Sequence, residues 1–238
     1  NDLPTIQDEV EKALSIVADE DIKVICAGRT DAGVHATGQI IHFDTKVKRS
    51  LRAWTHGANA NLPKDIVIHW VKLVPYDFHA RFKANSRRYC YTIYNNQIRP
   101  VIVRNNVTWQ CLPLDEKLMH EAGQALVGEH DFNSFRAKNC QAHSPIRTIE
   151  HLNVTRREKI ITIEIQANAF LHHMVRNIAG VLMAIGSHKE PVSWVKELLR
   201  VCSREQGGVT AKPTGLCLTH VGYPQDFNVQ DRNSQLGV

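Results

Sequence analysis

No stretch of this chain approaches the ~20 consecutive apolar residues that a helix needs to cross a bilayer, so none of its 238 residues reads as a membrane span. Its first residues carry no basic stretch leading into an apolar core, the pattern of a secretory signal. None of the six cysteines (Cys26, Cys90, Cys111, Cys140, Cys202 and Cys217) belongs to a C-x-x-C pair. They read as reduced thiols of a cytoplasmic protein, neither a disulfide framework nor a zinc site. The 13 histidines include no H-E-x-x-H, and only His172 and His173 are adjacent. Metal centres need converging ligands with supporting partners, so no metal and no cofactor is expected. What is present is the balance of a soluble globular protein, 43% hydrophobic and 22% charged. A formal charge of +5 permits an anionic partner without demanding one.

The most organised stretch is residues 24–43, VICAGRTDAGVHATGQIIHF. Two β-branched runs flank a loop punctuated by Gly28, Gly33 and Gly38, residues used where backbone turns tightly or approaches a ligand. Arg29 and Asp31 stand two positions apart, which in extended backbone puts them on one face. Two readings stand: an Asp in an ordinary Asp/Gly turn, or a polar site loop held on a rigid scaffold.

The rest of the chain reads as two related halves. Thr5 and Asp8 form a capping-box pattern ahead of Ile6, Val10, Leu14 and Val17, an apolar helical face. Strands are expected at 22–27, 39–44 and 66–74, with a weaker helix at 50–58. After a junction at Pro75 come a strand at 87–94, a helix at 115–127, strands at 149–156 and 159–167, helices at 170–186 and 192–202, and a strand at 216–223. That second series is β-α-β-β-α-β, the split βαβ or ferredoxin-like arrangement. The first half matches it apart from an opening strand, which is expected to be missing. The expectation is therefore an α+β fold: two ferredoxin-like halves, 1–76 and 77–238, joining into one mostly antiparallel or mixed sheet with helices packed on it. The last dozen residues, rich in Asn, Gln and Asp, read as a polar tail.

Four further segments carry chemistry. Phe78-His79-Ala80-Arg81-Phe82 interleaves cations with rings, suited to phosphates and exposed bases, or else is a solvated connector with two core phenylalanines. Tyr89 opens a strand after two arginines, where it is either core or a platform for a base. Residues 136–147, with Asn139, Cys140, Gln141, Ala142 and His143 at their centre, contain Arg136, Lys138 and Arg147 and no acid. Such a loop is free in solvent or clamps a polyanion. Arg176 lies in the apolar stretch FLHHMVRNIAGVLM, whose stripe is Leu171, Met174, Val175, Ile178, Leu182 and Ile185. A partly buried Arg there needs an anion, and Asp31 is the carboxylate proposed for it.

The twelve residues G-R-T-D-A-G-V-H-A-T-G-Q (28–39) resemble the signature loop of TruA-type tRNA pseudouridine synthases. F-H-A-R-F, R-R-Y-x-Y, H-H-M-V-R-N and T-A-x-x-x-G-L are similar to further motifs of that family, so the resemblance runs from Thr5 to about Pro224. It implies the pseudouridine-synthase fold and conversion of uridine to pseudouridine in the tRNA anticodon stem-loop, at positions 38–40. It implies Asp31 as the catalytic carboxylate, Arg29 as the side chain displacing the target base, and Arg176 as the partner of Asp31. Tyr89 and Leu216 would line the uracil pocket, while residues 78–82 and 139–143 contact RNA. It further implies tRNA as partner, a homodimer, and no membrane. Two other classes remain open on sequence: a catalytically silent tRNA-binding or chaperone protein on the same fold, and a nucleoside hydrolase using one carboxylate.

Overall fold

The computed structural model describes residues 5–229. In chain order its elements are α1 (Ile6–Ala18), β1 (Ile25–Cys26), β2 (His35–Ala36), β3 (Ile41–His42), α2 (Ala58–Asn61), β4 (Ser86–Asn95), β5 (Thr108–Gln110), α3 (Glu116–Gln124), β6 (Gly128–Asp131), β7 (Ile146–Arg157), β8 (Ile160–Ala167), α4 (Met174–Gly186), α5 (Trp194–Val201) and β9 (Leu216–Gly222). They fall into two compact units. The smaller takes the described residues through Gly28, Ile40–Ala84 and Pro224–Val229; the larger takes Arg29–Gln39 and Asn85–Tyr223. The division lies at 84/85, beyond the 76/77 boundary expected, and residues 29–39 go with the larger unit because β2 pairs there.

In the smaller unit α1 starts as its capping box predicts: the Thr5 hydroxyl accepts from the Asp8 amide, and the Thr5 amide donates to the Asp8 carboxylate, both at 3.1 Å. Val10, Ala13, Leu14 and Ala18 turn inward to meet Ile22, Val24, Trp54 and Ala58. The helix expected at 50–58 is present: residues 51–52 are α-helical, Ala53–Gly57 form a π-helical turn, and α2 continues it. Strands expected at 22–27 and 39–44 reduce to the two-residue ladder of β1 with β3. The strand expected at 66–74 is absent from the ladders among the described residues. Its alternation is genuine, since Ile66 and Ile68 lean on the core while Val67 and His69 are exposed. The Asn59 side chain takes both backbone bonds of Ile68, at 2.7 and 2.8 Å. Alternation specifies which face is buried; a ladder also requires a neighbouring strand.

The larger unit is built on a seven-stranded mixed sheet, order β2-β9-β4-β8-β7-β6, with β5 beside the far end of β4. Its inner strands β9-β4-β8-β7 are antiparallel throughout, and with α3 and α4 they form the expected β-α-β-β-α-β unit. β8 shows why: Ile161, Ile163, Ile165 and Ala167 are buried, with Thr162, Glu164 and Gln166 alternating between them. Helices α3 and α4 pack against each other, and α3 packs on β7. Met119, Ala122, Ile178, Leu182 and Ile185 meet that sheet face in one core with Tyr91 and Ile93. The protein is thus α+β, with helices laid on a mixed sheet. β2, β5 and β6 have no counterpart among the expected strands; they are two to four residues long, too short to show a period. Among the described residues no helix is long and apolar enough to cross a membrane.

Gly38 is where β2's extension passes β9 most closely. Its amide donates to the Leu218 carbonyl at 3.0 Å, and a Cβ there would collide with the Thr219 carbonyl. Gly38→Ala is expected to destabilise the fold by about 1–3 kcal/mol as an overpacked contact. Scanning calorimetry should register that as a melting point roughly 2–12 °C lower.

Candidate active site

The loop after Arg29 is a turn with both ends tied down. The Val34 amide donates to the Asp31 carbonyl at 3.0 Å, closing Asp31–Val34, and Gly33 holds φ +79° at the third position. A turn with positive φ there takes glycine because no Cβ obstructs it. Beyond the turn β2 pairs parallel with β9, His35 opposite Cys217 and Ala36 opposite Leu218. The Thr37 and Gly38 amides then both donate to Leu218, at 2.9 and 3.0 Å. Asp31 therefore projects from a fixed backbone.

The first turn of α4 provides what faces it. Arg176 donates from Nη1 to Asp31 Oδ2 at 2.7 Å, a charge-assisted length. Its Nε donates to the Ala211 carbonyl at 2.9 Å, and the Ala211 amide returns a bond to the Arg176 carbonyl at 3.1 Å. The 210–218 segment thus locks the guanidinium in place. The Arg176 side chain is 14% exposed and that of Asp31 26%. The carboxylate is partly withdrawn from water yet reachable.

Two imidazoles complete the cluster. His172 Nε2 lies 3.3 Å from Asp31 Oδ1 and His173 Nε2 lies 3.2 Å from Oδ2; the two ring centroids are 4.0 Å apart. The helix expected from 170 begins only at Met174, because His173 takes the left-handed conformation, φ 61°, as its N-cap. A non-glycine residue held there is strained by ~1–3 kcal/mol. The His172 carbonyl accepts from the Ala137 amide at 2.9 Å, so the 136–147 loop pins the approach to the helix. The sequence offered one sign of this pair, two histidines within a turn of Arg176, but gave no means of linking them to residue 31. The Asp31, His172 and His173 donor atoms all lie within 4.8 Å of one another.

Of the other expected site residues, Tyr89 is half-buried on β4, its ring edge-on to Phe170 at 5.1 Å. Leu216 is buried on β9 opposite Tyr91. Tyr91 itself is interior, hydrogen-bonded to the Thr108 hydroxyl (2.6 Å) and donating to the Lys212 carbonyl (2.9 Å). Burial pushes its hydroxyl up to about 12, against the pull of the Thr108 bond and Arg176. Arg29 is exposed, whereas Asp31 is engaged by α4.

In the 136–147 loop Asn139, Gln141 and His143 are exposed, while Cys140 and Ala142 pack on the core. The expectation of free cations in this loop is corrected at Arg136 and Arg147. Arg136 donates to the Cys140 carbonyl at 3.0 Å, and Arg147 to the Ser144 and Ile146 carbonyls, so both fold the loop's own backbone. In the smaller unit Phe78 and Ala80 are buried, Phe78 edge-on to Phe227. Phe82 is 76% exposed and stacked on His79 with centroids 4.2 Å apart, and the Arg81 guanidinium lies over its ring at 5.7 Å. Of F-H-A-R-F, then, His79, Arg81 and Phe82 are the surface and Phe78 and Ala80 the anchor.

Two histidines are held below the ordinary imidazole range. Burial is the main cause at His173, opposed by Asp31 and reinforced by His172, Arg176 and Arg204. Burial is also first at His42, with His79 adding to it and Asp44 opposing. His42 Nδ1 accepts the Ala80 amide at 3.1 Å, a bond that protonation removes. Both are favoured neutral in the folded state, so the unfolded chain binds protons more readily. The stability they contribute is present above the ordinary imidazole value of 6.5 and lost as pH falls through their lower folded values. The urea midpoint is expected to fall between about pH 7.5 and about pH 5.5, and His42→Asn should flatten that slope.

Comparison with known proteins adds the following. The family model described as "tRNA pseudouridine synthase" matches residues 1–83 and 122–224. A protein of Legionella pneumophila (strain Lens) named tRNA pseudouridine synthase A is 57% identical over 231 residues, covering 97% of this chain and 88% of the relative. Proteins of the same name from Pseudomonas aeruginosa (strain PAO1) and Vibrio parahaemolyticus are 54% and 55% identical, covering 97% and 96% of this chain and 81% and 86% of the relatives.

Proposed function

The chain belongs to the tRNA pseudouridine synthase family and isomerises uridine to pseudouridine in tRNA, and on that premise we propose that Asp31 is its catalytic carboxylate. The observation that carries this reading is the 2.7 Å bond from Arg176 to Asp31 Oδ2. A guanidinium at that distance pairs with the carboxylate through a charge-assisted hydrogen bond and fixes its direction. The reaction breaks the N1–C1′ bond, turns the freed uracil and joins C5 to C1′; the C5 proton is lost and N1 gains one. Whether the carboxylate attacks the ribose, adds to the base or removes a ribose proton, it must be ionised and offer a lone pair. Arg176 occupies Oδ2 and leaves Oδ1 to do so.

The remaining roles follow from exposure and chemistry. Arg29, exposed two residues from Asp31, displaces the target base from its stack, a step that costs a few kcal/mol before pocket contacts offset it. Tyr89 is the ring beside the flipped base, and Leu216 gives the pocket an apolar wall. His79, Arg81 and Phe82, with Asn139, Gln141 and His143, contact RNA by cation–phosphate and ring–base interactions. Cys140, Ala142, Phe78 and Ala80 hold those segments in shape. The signature loop, residues 29–39, works from the larger unit, where β9 and α4 orient it. The target is the anticodon stem-loop at positions 38–40, and the enzyme acts as a cytoplasmic homodimer. Mapping pseudouridines in tRNA from cells with and without the protein tests the target. Loss confined to those positions is expected, and loss elsewhere with those positions intact refutes it. Equilibrium sedimentation at micromolar concentration should give twice the chain mass; a monomer would contradict the dimer.

A further inference from the structure

We propose that Asp31, His172 and His173 form a binding site for a divalent transition-metal cation of the Zn²⁺ class, and that occupancy of this site silences the carboxylate. The cation-binding half stands on geometry alone; the silencing half rests on the reading of Asp31 as catalytic.

The donor set is two imidazole nitrogens and one carboxylate, a combination suited to zinc, cobalt or nickel and not to magnesium or calcium, which take oxygen ligands. Zinc bonds to nitrogen and oxygen are about 2.0–2.2 Å, so the edges of a tetrahedron around it are about 3.3–3.5 Å. The gaps from His172 Nε2 to Oδ1 and from His173 Nε2 to Oδ2 are 3.3 and 3.2 Å. The gap from His172 Nε2 to Oδ1 matches such an edge; His173 Nε2 reaches the carboxylate at its other oxygen, and with all donor atoms within 4.8 Å of one another a small turn of its ring brings it to the same centre. The two gaps are also longer than the ~2.7–2.9 Å of charge-assisted hydrogen bonds to a carboxylate, the length Arg176 does achieve at 2.7 Å. Both nitrogens are therefore near Asp31 without being tightly committed to it.

The surroundings make the arrangement durable and accessible. The His173 backbone is held in a left-handed conformation at the N-cap of α4, and the His172 carbonyl is held by Ala137. The His172 side chain is 45% exposed, so an ion has a route in. Arg176 bonds Oδ2, leaving Oδ1 for the cation, so the guanidinium orients the ligating carboxylate from behind. Its positive charge opposes a second cation and weakens the site. The histidine pair is visible in the chain, but the carboxylate is remote from it and no spaced motif joins them. A cation on Oδ1 and the two imidazoles would take the lone pair that the isomerisation needs.

The test is a Co²⁺ titration of the full chain, followed by the visible absorption of the ion. One equivalent giving the intense bands of a tetrahedral nitrogen–oxygen site is expected, displaced by Zn²⁺. His172→Asn and His173→Asn should each weaken that site at least tenfold, with circular dichroism confirming that the variants are folded. Absence of the bands, or bands unchanged in both variants, overturns the site. Pseudouridine formation is then measured with free Zn²⁺ set by a metal buffer. Loss of turnover in proportion to occupancy, recovered with EDTA, is expected. Full turnover at full occupancy leaves the cation site standing and overturns the reading of Asp31. Failure of cation binding leaves that reading untouched.

Discussion

Asp31→Asn is expected to lower pseudouridine formation by roughly 10⁴-fold or more, the scale seen when a nucleophile or base is removed from a preorganised site, while tRNA affinity stays within a few-fold. The substitution keeps the shape of the side chain and an acceptor for Arg176, but removes the charge and the lone-pair basicity that each route through the carboxylate requires. Affinity is spared because phosphate contacts, not the reacting carboxylate, dominate binding to a polyanion. The measurement is tritium release from tRNA made with 5-tritiated uridine, since C5 loses its hydrogen as the new bond forms; filter binding at one fixed salt concentration gives affinity. A variant that keeps activity within tenfold of the parent would remove Asp31 from the chemistry. A variant that loses binding in parallel would make it a docking residue.

The second large effect falls on Arg176. Arg176→Lys is expected to slow single-turnover isomerisation by about 10²-fold, the consequence of a reacting group displaced by about 1 Å. The guanidinium donates from Nη1 to Asp31 and from Nε to Ala211 at the same time. An ammonium is a compact point charge that cannot reproduce this planar fork. Arg176→Met goes further, leaving the carboxylate without its cation and the Ala211 carbonyl without this donor. It is expected to lower stability by about 1–3 kcal/mol as well as rate. Single-turnover kinetics separate the two effects. If Arg176 were only structural, Arg176→Lys would lower the melting temperature yet leave the rate of the folded protein intact.

Periodicity carried the larger unit well. Strands β4, β7, β8 and β9 and helices α3 and α5 lie within a few residues of where alternation and apolar spacing put them, because each buries one face and the period of that face is written in the chain. The Thr5–Asp8 cap was legible for the same reason, as a local exchange of two hydrogen bonds. The pairing of Arg176 with Asp31 was also within reach, since a cation inside so apolar a helix needs an anion. By contrast, β2 has two residues and exists only because β9 runs beside it.

What the sequence determined by itself, then, were the elements whose stability is local or one-faced, the glycine at 33 that allows the Asp31 turn, and the residue types of the site. Tertiary structure alone decided the rest. Residues 66–74 alternate as a strand should, yet form no ladder among the described residues, because a hydrogen-bonded partner is a property of another segment. Arg136 and Arg147 read as free cations and are spent on their own loop's carbonyls, the nearest acceptors for a folded backbone. His172 and His173 became neighbours of Asp31 only through the left-handed turn ahead of α4 and the closure of β2 onto β9. The chain can encode which groups a site uses, but the distances between groups far apart in sequence are set by packing.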